Sequence, residues 1–347
     1  MSWTVVPASR LAAQLPRWQA LHAACAASPL LAADFLAAAL DAFASGEELL
    51  AWYEEDGLTR VMTVVAPAGF GRWNTFQPAQ APVGFWLQRD GGSPERLIPD
   101  LLRALPGPAF VLGITQCDPM LLPRPSDSPC ARTLDYIDTA RISLAPGFEA
   151  YWNARGKNLR NNLKKQRKRL QQEGCATRLQ VSREVHEMAG AVADYGMLET
   201  GGWKAAAGSA VSAANAQGRF YRNMLEAFAR RGAARVYRYW IGERLAAMDL
   251  CIEGGGCVVV LKTAYDESLG GALSPALLMR EEACRDIFED GGFERIEFYG
   301  RVMEWHLRWT DEVRTMYHLN SYRWPGLARL HALATQQRRP DAARSAA

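Results

Sequence analysis

Hydrophobic residues recur at helical spacing in several stretches of the chain and at strand-like spacing between them. Residues 10–44 predict two alanine-rich helices separated at Ser28-Pro29, because proline fits the first turn of a helix. A hairpin is predicted next, with strands over 49–53 and 59–65 joined by a turn at Glu55-Asp56-Gly57. The first half then continues with a strand, a helix and a buried strand, over residues 72–77, 94–105 and 109–114.

The second half begins with an extended stretch over 133–144 and a helix whose apolar side carries Phe148, Trp152, Leu159, Leu163 and Leu170. The pattern then predicts two helices, over 184–198 and 220–230, and three strands, over 235–241, 245–253 and 257–265. A long amphipathic helix follows from Ser274-Pro275 to residue 290, and the last two strands are predicted over 293–299 and 312–322. This order predicts an α/β (α+β) fold with two loosely similar units. The expected domains are 1–140 and 141–337, followed by a flexible tail over 338–347.

Composition narrows the class of protein. With 347 residues, 49% of them hydrophobic, the chain can bury the cores of two domains. Forty Lys and Arg against 37 Asp and Glu leave a formal charge of +3, too small to predict general binding to nucleic acid or anionic membranes. Seven scattered cysteines without a Cys-x-x-Cys pair, and histidines at no metal-binding spacing, predict neither disulfides nor a metal site. No membrane span or signal peptide is predicted, so a cytoplasmic protein is expected.

A strand, a glycine-containing loop and a helix start follow one another between Tyr265 and Ala276. This arrangement presents backbone N–H groups and the positive end of a helix dipole to a phosphate. Gly270 and Gly271 lie in the loop, and Ser274 is the predicted N-cap. The spacing matches neither a Walker loop nor a dinucleotide fingerprint, and an ordinary capped loop is the alternative interpretation.

The segment from Arg155 to Arg169 carries eight basic residues and no acid. A solvated helix face, or contact with an anionic substrate, is favoured over RNA binding because no aromatic residues are interleaved among the charges.

Two charged residues interrupt apolar strands, Asp249 and Lys262. One register places them diagonally on the same sheet face, so a structural ion pair is expected, and proton transfer by Asp249 is the alternative. The segment from Glu297 to Trp309 combines aromatic residues with Glu304 and His306 just after a strand, where α/β proteins place their sites.

Together, these residues resemble the GNAT superfamily, and within it the CelD-like acetyltransferases of polysaccharide biosynthesis, relatives of the Fem aminoacyl transferases. The resemblance covers Phe148 to Trp324 and rests on the order of the basic helix, Trp203-Lys204, the paired strands, Ser274-Pro275 and Phe298-Tyr299-Gly300. Relatives usually carry Ser-Pro-Gly where this chain has Ser274-Pro275-Ala276, and an aromatic-lysine pair where it has Trp305-His306. The implied fold is two GNAT-like units, each a mixed, mostly antiparallel sheet flanked by helices, of which the first is degenerate.

The resemblance implies acyl transfer from acetyl-CoA, or another acyl-CoA, to an amine or hydroxyl of a small-molecule, peptide or glycan acceptor. The implied coenzyme contacts are Tyr265, Gly270, Gly271, Ser274 and Ala276, and the implied acceptor contacts are Trp203, Lys204 and Trp305. Glu304 and His306 are the candidate bases, Asp249 is a further candidate, and Tyr299 is the candidate acid for the leaving thiolate. The alternatives are a non-catalytic binding module in a polysaccharide assembly and an aminoacyl transferase that uses charged tRNA.

Overall fold

A computed structural model describes residues 2–25, 28–89, 93–200, 211–212, 214–269 and 273–337. The chain divides into two compact units that interleave along the sequence. Unit 1 comprises residues 1–27, 44–136 and 315–347, and unit 2 comprises 28–43 and 137–314. The predicted contiguous domains over 1–140 and 141–337 stay a prediction, and the predicted tail lies outside the described residues.

Strands and helices alternate through both units. The strands are β1 Ser2–Pro7, β2 Leu49–Glu55, β3 Leu58–Pro67, β4 Arg72–Thr75, β5 Trp86–Gln88, β6 Val111–Cys117, β7 Ala131–Ser143, β8 Thr177–Ser182, β9 Ala234–Ile241, β10 Arg244–Gly254, β11 Cys257–Tyr265, β12 Arg295–Phe298 and β13 Val313–Tyr322. The α-helices are α1 Leu11–Ala24, α2 Ala33–Phe43, α3 Pro94–Ala104, α4 Phe148–Ala154, α5 Lys157–Gln172, α6 Val185–Thr200, α7 Ala216–Ala229, α8 Pro275–Asp290 and α9 Pro325–Gln337.

Unit 1 is built on a mostly antiparallel sheet with the order β1-β2-β3-β4-β6-β13, in which β5 also pairs with β3. A parallel pairing joins β4 to β6, with Arg72 opposite Val111 and Asn74 opposite Gly113. Ile98, Leu101 and Leu102 of α3 pack into its core. This side of the sheet is covered because the apolar residues of α3 recur at helical spacing.

Unit 2 repeats the same pattern in the order β7-β12-β11-β10-β9-β8. Here β11 pairs parallel with β12, and the other pairings are antiparallel. The turn between β10 and β11 has positive φ at Gly255 and Gly256, a backbone conformation that glycine adopts at little cost. Helices α4, α5 and α8 supply one core of this unit, and Leu163, Leu278 and Ile287 are buried in it.

Helix α2 belongs to unit 2 although it lies early in the sequence. Phe35 of α2 meets Phe220 of α7 edge to face, with ring centroids 5.3 Å apart, and both side chains are fully buried. Asp34 pairs with Arg231 at 2.9 Å.

The parallel strands of unit 1 are bridged just after their last pairing. Thr75 Oγ1 accepts a hydrogen bond from Thr115 N at 3.0 Å and lies 2.8 Å from Thr115 Oγ1. Gly84 packs into the same place, because a Cβ there would lie 2.3 Å from Thr75 Oγ1 and 2.6 Å from Thr115 O. The segment around Gly84 therefore fills the space between the diverging strands.

The predicted fold class, α/β (α+β) with two units of mixed, mostly antiparallel strands flanked by helices, is confirmed. The hairpins and the helices α1, α2, α3 and α8 lie where the hydrophobic pattern predicts them. The single helix predicted to carry Phe148 through Leu170 is wrong, because the chain forms two helices there, α4 and α5, separated at Arg155 and Gly156. The strands β1 and β5 and the helix α9 were not predicted. Across the described residues, no helix combines the length and the apolar character needed to cross a membrane.

Candidate functional site

The site begins where β11 and β12 diverge. The two strands pair from Cys257 opposite Arg295 to Val260 opposite Phe298, where β12 ends. Strand β11 continues to Tyr265 beside β10 alone. Beyond Val260, the edge of β11 that faces away from β10 is therefore no longer covered by β12, and a strand edge of this kind can bind a ligand.

A β-bulge lies at the point of divergence. Leu250 pairs with Lys262 and Cys251 with Val260, so Leu261 has no opposite residue on β10. A bulge bends a strand and changes the face on which the following side chains lie. It places Thr263 opposite Asp249 and turns Lys262 to the other face of the sheet.

A cavity of about 500 Å³ opens between β11, the start of α8 and the segment 305–309. It is lined by Thr263, Tyr265, Asp266, Leu273, Ser274, Pro275, Ala276, Leu277, Arg280, Trp305, Arg308 and Trp309. Four residues predicted as site residues, Tyr265, Ser274, Ala276 and Trp305, are thus brought together.

A buried ion pair lies behind the cavity wall. Arg280 Nη1 lies 2.6 Å from Asp249 Oδ2, and Arg280 Nη2 donates to Asp249 Oδ1 and Thr263 Oγ1, both at 3.0 Å. Thr263 Oγ1 donates to Asp249 Oδ1 at 2.5 Å. Burial raises the pKa of Asp249 although the Arg280 charge opposes that rise. The carboxylate fixes the guanidinium, and only Thr263 and Arg280 of these three belong to the cavity lining.

Trp309 forms a second buried part of the wall. Its carbonyl accepts hydrogen bonds from Tyr151 Oη and Arg155 Nη1, both at 2.8 Å. Its ring stacks on Trp152, with centroids 6.0 Å apart. The indole is fully buried, yet its Nε1–H finds no hydrogen-bond partner among the residues that the structure describes.

The start of α8 faces the same cavity. Ser274 is the N-cap residue by position, but its side chain makes no capping hydrogen bond. Its backbone N–H instead donates to Gln166 Oε1 of α5 at 2.7 Å, and Gln166 is buried. Gly270 and Gly271 lie outside the described residues, so their predicted phosphate contacts stay a prediction.

Asp266 lies at the end of β11 on the cavity rim. Burial alone would raise its pKa, but hydrogen bonds from Ser268 N and Oγ, at 2.9 and 2.7 Å, and the paired Arg244 guanidinium hold it below the usual value. Asp266 therefore stays ionised and engaged by its partners.

The predicted acid and base residues are not brought together in the cavity. Glu304 is 89% exposed and lines a neighbouring cavity of about 570 Å³, which shares Leu277 and Arg308 with the first. Tyr299 is buried, with Arg314 over its ring at 5.4 Å. Asp249 lies behind Thr263 and Arg280. The catalytic roles of these residues stay predictions.

His306 is buried and stacks on Trp305, with ring centroids 3.6 Å apart. Its Nδ1 accepts a hydrogen bond from Met303 N at 2.9 Å. Burial and the nearby Arg280 charge lower the pKa of His306 to about 4. A neutral ring whose Nδ1 is occupied carries its proton on Nε2, which favours a role in holding the turn over a role as base.

The expected ion pair between Asp249 and Lys262 is wrong. Without the bulge at Leu261 the two residues would lie directly opposite each other, but the extra residue moves Lys262 to the opposite face. Lys262 Nζ there pairs with Glu199 Oε1 at 3.1 Å, and Arg280 takes the place expected for the lysine.

The basic segment is partly neutralised by helix α8. Arg167 pairs with Glu281 and Glu282 at 2.9 and 2.6 Å. Four lysines of α5 are exposed, Lys157, Lys164, Lys165 and Lys168. The predicted acceptor residues Trp203 and Lys204 lie outside the described residues.

Sequence reasoning missed Thr263, Arg280 and Trp309. Arg280 had a readable signal, because it interrupts the apolar face of α8 at helical spacing from Leu277 and Cys284. Within the part of the chain that the structure describes, no cluster of three or more His, Cys, Asp or Glu side chains could hold a metal ion.

One known protein family matches the segment that contains most of this site. Residues 157–307, a little under half of the chain, match the family model described as an acetyltransferase (GNAT) domain. No curated protein is significantly similar to the sequence.

Solved structures share the fold of this chain. FemX is 9% identical, covers 95% of this chain and 99% of its own, and has a TM-score of 0.58. A conserved protein of unknown function from Bacteroides thetaiotaomicron is 11% identical, with coverages of 89% and 97% and a TM-score of 0.57. The C-terminal domain (DUF2156) of a candidate lysylphosphatidylglycerol synthetase from Agrobacterium fabrum is 12% identical, with coverages of 94% and 96% and a TM-score of 0.56. At these identities the likeness concerns the fold alone.

Proposed function

We propose that this protein is an acyltransferase that binds an acyl-CoA in the cavity of its GNAT domain and transfers the acyl group to an amine or hydroxyl. The observation that carries the proposal is the cavity at the divergence of β11 and β12, lined on one side by the start of α8. The match of residues 157–307 to a GNAT family model supports it.

In this proposal the edge of β11 beyond the end of β12, between Leu261 and Tyr265, binds the thioester arm. Backbone N–H groups there donate to the thioester carbonyl, because a strand edge offers donors at regular spacing. Leu273, Pro275 and Leu277 supply the apolar wall for the arm. Arg308 and the first turn of α8 attract the phosphates, because both are electropositive.

The acceptor side of the proposal centres on Glu304. It is our proposed base, since it is accessible and lies in the cavity that adjoins the first. Tyr299 as acid and Trp305 as an acceptor contact stay part of the proposal. The resemblance to polysaccharide-type enzymes favours an acceptor amine or hydroxyl on a sugar, and a cytoplasmic supply of acetyl-CoA.

Titration calorimetry with CoA and with acetyl-CoA tests the proposal. We expect saturable binding, accompanied by a rise in Tm, because a ligand that binds the folded state stabilises it by mass action. The variant Ala276→Glu, which adds bulk and negative charge at the start of α8, should abolish binding. The matched control Ala20→Glu, on the exposed face of α1 in unit 1, should bind as the wild type does. Absence of heat and of any Tm shift with both ligands would refute the proposal.

A second candidate is aminoacyl transfer from charged tRNA, favoured by the four exposed lysines of α5. Phosphate contacts of lysines make binding fall steeply with salt concentration. Aminoacyl-tRNA binding that weakens strongly between about 50 and 200 mM salt, and that is lost in Lys164→Glu/Lys165→Glu/Lys168→Glu, would support this candidate. Binding that those three charge reversals leave unchanged would exclude it.

A further inference from the structure

Trp309 presents a donor that the fold leaves unused. Its side chain is fully buried in the cavity wall, and its Nε1–H has no hydrogen-bond partner among the described residues. Leaving a buried donor unpaired is costly, and native proteins leave few such groups. The residue is nonetheless held firmly, since its backbone carbonyl accepts hydrogen bonds from Tyr151 Oη and Arg155 Nη1 and its ring stacks on Trp152.

Arg280 presents a fixed cation to the same cavity. Asp249 and Thr263 hold two of its nitrogens, and Phe298 lies under the guanidinium with its ring centroid at 5.2 Å. Only 4% of the Arg280 side chain is exposed. A guanidinium locked in this way needs no rearrangement when negative charge appears nearby, which is the property that makes a preorganised donor effective.

We propose that Trp309 Nε1–H and the Arg280 guanidinium stabilise the negative charge that develops on the acyl carbonyl oxygen during transfer. This inference rests on the proposed function. Both residues line the same cavity as Thr263. Thr263 lies on the part of β11 beyond its pairing with β12. Trp309 and Arg280 are then catalytic residues, and Asp249 and Thr263 are positioning residues.

Charge develops on the acyl oxygen at one stage of the reaction only. The acceptor nitrogen or oxygen lone pair forms a bond to the carbonyl carbon, and the C=O π electrons move to the oxygen. As that oxyanion collapses, the C=O bond re-forms and the C–S bond breaks with its electron pair on sulfur. The thiolate takes up one proton, equal to the proton that the acceptor releases. The charge on oxygen is created and removed within the step, so donors aimed at it act on the transition state.

This donor pair can bind a negatively charged oxygen without rearrangement. Asp249 neutralises the Arg280 charge, so the Asp249–Arg280 ion pair has little net charge when the cavity holds no ligand. The indole N–H is a neutral donor, and it gains most when its acceptor becomes charged.

S-carboxymethyl-CoA tests this assignment, because its carboxylate places a negative oxygen near the position of the acyl oxygen. We expect wild-type protein to bind it more tightly than CoA in titration calorimetry. Trp309→Phe removes the N–H and should weaken S-carboxymethyl-CoA binding about tenfold or more, as for loss of a hydrogen bond to a charged group, while CoA affinity stays within about twofold. The matched control Trp152→Phe alters the stacked partner, which does not line the cavity, and should keep both affinities.

Equal loss of both ligands' affinity in the two variants, or no loss in Trp309→Phe, would overturn the assignment while leaving the proposed function intact. Wild-type protein that binds neither ligand would overturn both. If Trp309→Phe does not fold, the indole N–H resonances of the wild type decide the matter. We expect one of the eleven tryptophan signals to move downfield with S-carboxymethyl-CoA and not with CoA, and the absence of such a signal refutes the assignment.

Discussion

Removing the charge of Asp249 should destabilise unit 2 more than any exposed ion-pair change in the protein. Asp249→Asn keeps the shape of the side chain but leaves the Arg280 guanidinium without its counter-charge, in a place where Asp249 is fully buried and Arg280 is 4% exposed. Breaking a buried pair in this way costs about 3–5 kcal/mol. Since folded domains are stable by only about 5–15 kcal/mol, this loss is a large part of the total.

Guanidinium unfolding, followed by tryptophan fluorescence and circular dichroism, measures the effect. Arg280→Met leaves a buried carboxylate that can take up a proton, so its cost should be smaller than that of Asp249→Asn. The double variant removes both charges and should be more stable than the sum of the single losses predicts. Arg169→Met is the matched control, because Arg169 pairs with Glu173 at 2.7 Å on the exposed surface and should cost about 0.5 kcal/mol or less. An unfolding midpoint of Asp249→Asn equal to that of the wild type, or strictly additive losses in the double variant, would refute the reasoning.

Two further predictions concern His306 and Gly84. The pKa of His306 falls from 6.5 in the unfolded chain to about 4 in the folded protein, so the unfolded chain binds more protons between these pH values. The free energy of unfolding should therefore decrease by on the order of 3 kcal/mol as pH drops from about 6.5, and level off below about 4. The variant His306→Asn should flatten that dependence in unfolding titrations at about pH 7 and pH 5. Gly84→Ala forces a Cβ to within 2.6 Å of a backbone oxygen, so it should destabilise unit 1 by about 1–3 kcal/mol. Gly190→Ala on α6, where nothing lies within 4 Å, should leave the Tm equal or higher, and equal Tm values for both alanine variants would contradict the packing argument.

Hydrophobic periodicity predicted most of the elements of unit 2, because its helices bury one face and its strands are continuous apolar runs. It could not predict β5, three residues long, or the membership of α2 in unit 2, because a helix pattern does not say which sheet the helix covers. Ser274, Pro275 and Tyr265 line the same cavity because strand, loop and helix start are adjacent in sequence. Thr263, Arg280 and Trp309 come from three separate elements, and only the fold brings them together.

The register of β10 and β11 shows most clearly why the rest could not be predicted. The sequence allows a register that puts Asp249 and Lys262 on the same sheet face, and the expectation of an ion pair follows from it. The single unpaired residue Leu261 reverses that result, since every side chain after a bulge changes face. Nothing in an apolar run from Val258 to Leu261 marks which residue will bulge.

The same extra residue connects the bulge to the chemistry of the site. By moving Lys262 away, it brings Thr263 to Asp249, and Thr263 and Asp249 together fix Arg280 at the cavity. It also lies where β11 leaves β12, so the opening of the sheet and the arrangement of the buried charge pair have a common origin. In unit 1 the corresponding parallel strands are bridged by Thr75 and Thr115, with Gly84 packed against them. Two units with the same strand order thus differ at this position, and this difference supports our proposal of an acyl site in unit 2.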